Sequence, residues 1–192
     1  LEAMAALADA DGSTIRADAD ALATLLTTLD RFPLPTMALV HGAAIGAGLG
    51  LVACCDIVVA DSSARFAMPE ARLGLVPGVI APFVAAAISE RWARYYSLTG
   101  ERFDAADGHA FGLVHAHVHG GGLEPRGREI TDSLLKGAPG AQRDSKAQLQ
   151  GLRGRAPDDG TVADGAARLA GRRASDEGRE GIRAFLDKRR PS

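Results

Sequence analysis

The chain has 192 residues, 46% hydrophobic and 24% charged, a balance that supports one sizeable globular core with an appendage. A formal net charge of −2 gives no electrostatic case for nucleic acid or an anionic membrane as the main partner. Cys54 and Cys55 are adjacent in an apolar stretch and read as small buried hydrophobes of a reducing compartment, with neither disulfide nor zinc spacing.

No apolar run approaches the ~18 residues of a membrane span, and nothing at the start resembles a signal peptide, so the expectation is a cytoplasmic enzyme. The chain opens at Leu1 without an initiator Met and reads as the middle of something longer. Residues 1–12 are alanine-rich with a polar end, a loop or weak helix. From Thr14 to Arg31, Leu22, Leu25, Leu26 and Leu29 recur at i, i+3, i+4 and i+7, the pattern of an amphipathic helix, which stops at Phe32-Pro33-Leu34-Pro35. Thr36–Val40 is a short, continuously apolar strand of the kind buried on both faces. A glycine-rich turn follows, then a short buried helix over Leu49–Cys55, ended by Asp56, and a second apolar strand, Ile57–Ala60.

Arg65–Met68 is a further extended piece, and Pro69-Glu70 opens a turn. Val79–Ile88, with Pro82 in its first turn, and Glu90–Leu98 are two helices. Asp104 is an N-cap for a helix ending at Gly112, and Leu113–Val118 alternates as a strand. Leu123–Lys136, Gly140–Leu152, Val162–Arg173 and Asp176–Arg189 are helices with charged faces. The shift to a helical, polar C-terminal third places a boundary at Gly120-Gly121-Gly122, giving a core over 1–119 and a helical subdomain over 120–192.

Chemistry is expected at the glycine turn, where the backbone approaches a ligand closely and the first N–H groups of the next helix face it. Gly42, Gly46 and Gly48 fit G-x-x-x-G-x-G, a spacing that also holds dinucleotides in short-chain dehydrogenases. That alternative requires a long crossover helix and an acidic residue roughly 20 positions on, whereas Asp61 arrives early and no Tyr-x-x-x-Lys follows Tyr95 or Tyr96.

Five ordered blocks carry a resemblance over essentially the whole chain. They are Val40-His41-Gly42-Ala43-Ala44-Ile45-Gly46-Ala47-Gly48; Phe66-Ala67-Met68-Pro69-Glu70 with Leu73-Gly74-Leu75-Val76-Pro77-Gly78; Leu98-Thr99-Gly100; Gly112-Leu113-Val114; and Ser175 to Pro191. Together they resemble the crotonase (enoyl-CoA hydratase/isomerase) superfamily, with Leu73–Pro82 and Thr99–Ala105 most like its bacterial methylglutaconyl-CoA hydratase-like branch. The resemblance implies an α/β fold, a ClpP-like spiral of ββα units with a helical C-terminal subdomain. It also implies that the first sheet strands lie upstream of the chain, because Leu1 matches the last Leu of the family's A-x-x-G-x-D-L segment.

The implied reaction passes through a thioester enolate. One oxyanion donor would be the N–H of Ala47, strengthened by the helix dipole, and the second would lie upstream. Glu70, at the mouth of a largely apolar pocket, is the expected catalytic acid/base. Gly78 and Gly50 match pocket positions near the reacting water. The two-carboxylate hydratases carry a Glu at the position of Gly50, so hydration and double-bond migration both remain open, as does a catalytically silent scaffold. Phe185 and Lys188 match the CoA-contacting terminal helix. No tightly bound cofactor and no metal are expected, coenzyme A arriving as part of the substrate, and the implied assembly is a homotrimer or dimer of trimers. His41 reads as a structural residue, and His115, His117 and His119, on one face of a strand near His109, as a solvated or interface group. Trp92, Tyr95 and Tyr96 read as packing residues.

Overall fold

The computed structural model describes residues 10–191; Leu1 and the segment before Ala10 lie outside the described residues. Helix α1 spans Gly12–Asp30. Its N-cap is Asp11, whose carboxylate accepts the Ser13 and Thr14 N–H groups at 2.8 and 2.9 Å. Leu26 is fully buried and Leu22 and Leu29 partly so, whereas Leu25 is half exposed, so the core stripe is narrower than the four-leucine pattern suggests.

Strands β1 (Met37–Val40), β3 (Ile57–Asp61) and β6 (Ala116–Val118) form one parallel sheet in the order β1-β3-β6. Strands β2 (Ala43–Ile45), β4 (Arg65–Ala67) and β5 (Arg102–Asp104) form a second, with β2 and β4 parallel and β5 antiparallel to β4. Helix α2 (Ala47–Cys54) follows β2, and helix α3 (Ala81–Thr99) follows β4. The chain therefore runs strand in one sheet, strand in the other, then helix, twice over. This is the expected ββα repeat.

Three local features depart from the sequence pattern. Strand β1 lies at a sheet edge among the described residues, which leaves Leu39 38% exposed instead of buried on both faces. The glycine turn contains strand β2, too short to show a period. Helix α3 is one element by its hydrogen bonds, but Ser89 breaks it at φ 71° and ψ 154°, where the two predicted helices meet. Asp56 ends α2 and also ties the sheet together: its carboxylate accepts the Thr36 N–H at 2.7 Å and the Thr36 hydroxyl at 2.9 Å.

The core gathers Leu26, Leu49, Phe66, Met68, Val84 and Phe103, all essentially inaccessible to solvent. Each such side chain contributes about 1.5–3 kcal/mol by leaving water. Phe66 and Phe103, opposite one another on β4 and β5, stack with ring centres 5.3 Å apart, and Tyr96 packs 4.5 Å from Phe103. Helix α4 (Ala105–Ala110) opens on Asp104 with a reciprocal cap from Asp107.

Two compact units result, one comprising residues up to Phe32 and Thr36–Gly127, the other Pro33–Pro35 and the chain from Arg128. The change falls inside α5 (Leu123–Leu134), just beyond the three glycines at 120–122. The second unit contains α6 (Pro139–Gly151), α7 (Asp159–Ala174) and α8 (Asp176–Leu186). Its Glu177 accepts the Gly140 and Ala141 N–H groups at the start of α6, at 2.9 and 3.1 Å, and pairs with Arg172. No helix among the described residues is long and apolar enough to cross a membrane.

Candidate active site

Parallel pairing of β2 with β4 builds the site. Ile45 lies opposite Ala67, so the two strands end side by side: one continues into Gly46 and Ala47, the other into Met68, Pro69 and Glu70. The Gly46 N–H donates to Ala67 O at 3.0 Å and fixes that exit. Gly46 adopts φ 56° and ψ −121°, a conformation that a side chain strongly disfavours, and Ala47 begins α2. The first N–H groups of α2 have no acceptor within the helix, and its dipole adds positive potential there.

Glu70 opens a single 3-10 turn, Glu70–Leu73, and is half-buried. Its carboxylate lies against the glycine turn, with Oε1 3.1 Å from the point that a Cβ on Gly46 would occupy. Its Oε2 is buried without a hydrogen-bond partner. A buried carboxylate oxygen left unpaired costs roughly 1–3 kcal/mol or more, which a bound proton donor would offset. One carboxylate and one set of helix N-terminal donors thus share a turn, an arrangement able to move a proton beside a developing negative oxygen.

Gly50 lies one turn along α2 from Gly46, its N–H donating to Gly46 O at 3.1 Å. It is buried beneath α3: a Cβ there would stand 2.6 Å from Cγ2 of Ile80 and 3.2 Å from Cδ1 of Leu26. Apolar side chains occupy that position. Gly78 is exposed in the turn before α3, with Val76 its nearest side-chain neighbour. Sequence reading missed Ile80 as the neighbour of Gly50, since thirty positions separate the two and no motif links them.

In the second unit, Phe185 is 82% exposed near the end of α8, and Lys188 follows the helix with φ 51°. Ile182 and Leu186 are also exposed, which gives α8 an apolar outer face. In the first unit, His41 is exposed and lines, with Leu39, Val40, Gly48 and Leu51, an open cleft of about 430 Å³ along β1. His115 is structural: its Nδ1 accepts the Val58 N–H at 3.0 Å. The rings of His109 and His117 lie 5.5 Å apart, and among the described residues no three metal-ligating side chains converge.

The eight residues of α2 are too short for the long crossover helix that the dinucleotide alternative requires, in keeping with the early Asp61. Residues 2–192 match the family described as enoyl-CoA hydratase/isomerase. The crystal structure of an enoyl-CoA hydratase from Shewanella pealeana superimposes with a TM-score of 0.93 at 40% identity, covering 98% of this chain and 71% of that one. A mitochondrial Delta(3,5)-Delta(2,4)-dienoyl-CoA isomerase of Dictyostelium discoideum is 30% identical over 86% of this chain and 57% of its own length. Enoyl-CoA hydratase domain-containing protein 3 of Danio rerio is 31% identical over 96% of this chain and 64% of its own. The chain thus spans less than two thirds of the length of these two relatives.

Proposed function

The chain belongs to the enoyl-CoA hydratase/isomerase family and has the crotonase fold, and from that premise we propose that it acts on acyl-CoA thioesters, adding water across an enoyl-CoA double bond. The observation that carries this reading is the Glu70 carboxylate lodged against the Gly46-Ala47 turn, with one oxygen buried and unpartnered. Glu70 takes a proton from water as the water oxygen bonds to the β-carbon. The double-bond electrons move onto the thioester oxygen, where the Ala47 N–H receives the charge, and Glu70 then returns the proton to the α-carbon. Losing one such backbone donor costs ~10²–10³ in rate. Gly78 borders the reacting water. In this reading residues 1–119 carry the catalytic core, while 120–192 serve assembly into a trimer or dimer of trimers and binding of CoA through Phe185 and Lys188. Coenzyme A enters as part of the substrate, a branched enoyl thioester being the favoured class and the cytoplasm the favoured compartment.

Double-bond migration is the second reading, and Gly50 favours it. Ile80 and Leu26 hold the space beside Gly50, so no second carboxylate enters there, and a single acid suffices to carry one proton between two carbons of the acyl chain. Purified protein given a short 2-enoyl-CoA should lose the conjugated enoyl absorbance, and Glu70→Gln should slow that loss ~10²–10⁴-fold. Unchanged absorbance with wild-type protein would sink the hydratase reading; gain of absorbance from a 3-enoyl-CoA would establish isomerisation instead.

A further inference from the structure

Beyond Glu70 itself, the 3-10 turn is not held in place by burial: Ala71, Arg72 and Leu73 are exposed. Leu73, and Leu75 and Val76 after it, are 61%, 52% and 81% exposed. Its own backbone bonds, Arg72 N–H to Pro69 O at 2.9 Å and Leu75 N–H to Glu70 O at 3.0 Å, shape it without anchoring it to the rest of the unit. The anchor comes from 27 residues away. Arg72 donates Nε–H and an Nη2–H to the Thr99 carbonyl oxygen, both at 3.1 Å, at the C-terminus of α3. A guanidinium there meets both a carbonyl lacking an intrahelical donor and the negative end of the helix dipole.

Gly100 admits that guanidinium. It caps α3 at φ 62°, and a Cβ on it would stand 2.7 Å from Arg72 Nε and 3.1 Å from Cδ and Cγ. Two separate features therefore favour glycine at position 100: the left-handed backbone, and the space that Arg72 fills, since a Cβ there would displace the guanidinium from its seat. We propose that Arg72, seated on Thr99 O through Gly100, is a positioning residue that holds Glu70 against the Gly46 turn. This rests on the reading of Glu70 as the proton carrier.

The test compares Arg72→Ala, Arg72→Lys and Gly100→Ala in the full chain, with Glu70→Gln as reference. Misplacing a reacting group by about 1 Å costs up to ~100-fold, so Arg72→Ala should lower kcat about 10- to 100-fold with KM within about twofold. Arg72→Lys should recover part of the rate, and added guanidinium ion should raise the rate of Arg72→Ala. Amide exchange at Leu75, whose N–H is held by Glu70 O, should quicken in Arg72→Ala. A folded Arg72→Ala with wild-type kcat and wild-type Leu75 exchange overturns the proposal. Should that variant fail to fold, wild-type kcat in both Arg72→Lys and Gly100→Ala overturns it. If wild-type protein turns over neither a 2-enoyl nor a 3-enoyl thioester, the reading of Glu70 falls separately. Leu75 exchange then decides the clamp alone, quickened exchange sustaining it and unchanged exchange overturning it.

Discussion

Glu70 sets its Oε1 3.1 Å from the point that a Cβ on Gly46 would occupy, so a side chain at position 46 would press on the carboxylate and make it shift. Gly46→Ala strains the backbone at φ 56° and crowds that oxygen together. The strain is worth about 1–3 kcal/mol. We expect a lowered melting temperature and a fall in kcat larger than that stability loss explains, read by thermal melts and turnover on folded protein. An unaltered kcat would show that Glu70 tolerates displacement.

Gly50 and Ile80 form a second size-matched pair. Adding a methyl at 50 drives it into Cγ2 and Cβ of Ile80, 2.6 and 3.1 Å away. Overpacking of this kind costs about 1–3 kcal/mol, while Ile80→Ala alone opens a cavity at about 2–5 kcal/mol. In Gly50→Ala/Ile80→Ala the new methyl enters vacated space. Denaturant melts of the four proteins should therefore give a double-mutant loss smaller than the sum of the single losses. Simple additivity would mean that α2 and α3 separate freely.

The helices, the apolar strands and the Pro69-Glu70 block were legible because period, caps and prolines are local signals: Asp104 as N-cap and Pro82 in a first turn stand where the sequence places them. Strands β2 and β5 were not. Three residues are too few to show alternation, and what makes Ala43–Ile45 a strand is its pairing with Arg65–Ala67, more than twenty positions away. The same pairing brings Ala47 and Glu70 to one turn, so the candidate residues were readable while their meeting was not. The roles of Ile80 and Arg72 are likewise long-range, each defined by a glycine that makes room for it.

In the second unit, Glu177 does the work of an N-cap for a helix in which Ala138, at the N-cap position, offers no side-chain oxygen. Glu177→Ala leaves the Gly140 and Ala141 N–H groups without that acceptor and takes one carboxylate from Arg172, Asp144 remaining at 3.3 Å. Loss of a cap costs about 0.5–2 kcal/mol. Amide exchange in the first turn of α6 should quicken in Glu177→Ala and much less in Glu177→Gln, which keeps an acceptor oxygen. Equal exchange in all three proteins would refute the cap.

The two tyrosines of the chain, Tyr95 and Tyr96, both resist ionisation, for different reasons. The Tyr95 hydroxyl donates to Glu101 at 2.7 Å, and that bond with the adjacent negative charge raises its pKa; Tyr96 is raised chiefly by burial in the aromatic cluster, then by the negative charge of Asp107. Since the neutral form is favoured in the folded state, this contribution to stability is fully present below the unfolded value of about 10 and is lost as pH rises through the raised values. Absorbance at the phenolate band should therefore rise later in native protein than in protein unfolded by urea, where both rings titrate near 10. Glu101→Ala should bring the Tyr95 step back toward that value and leave Tyr96 late. Native and unfolded curves that coincide would show that neither hydroxyl is held as the structure places it.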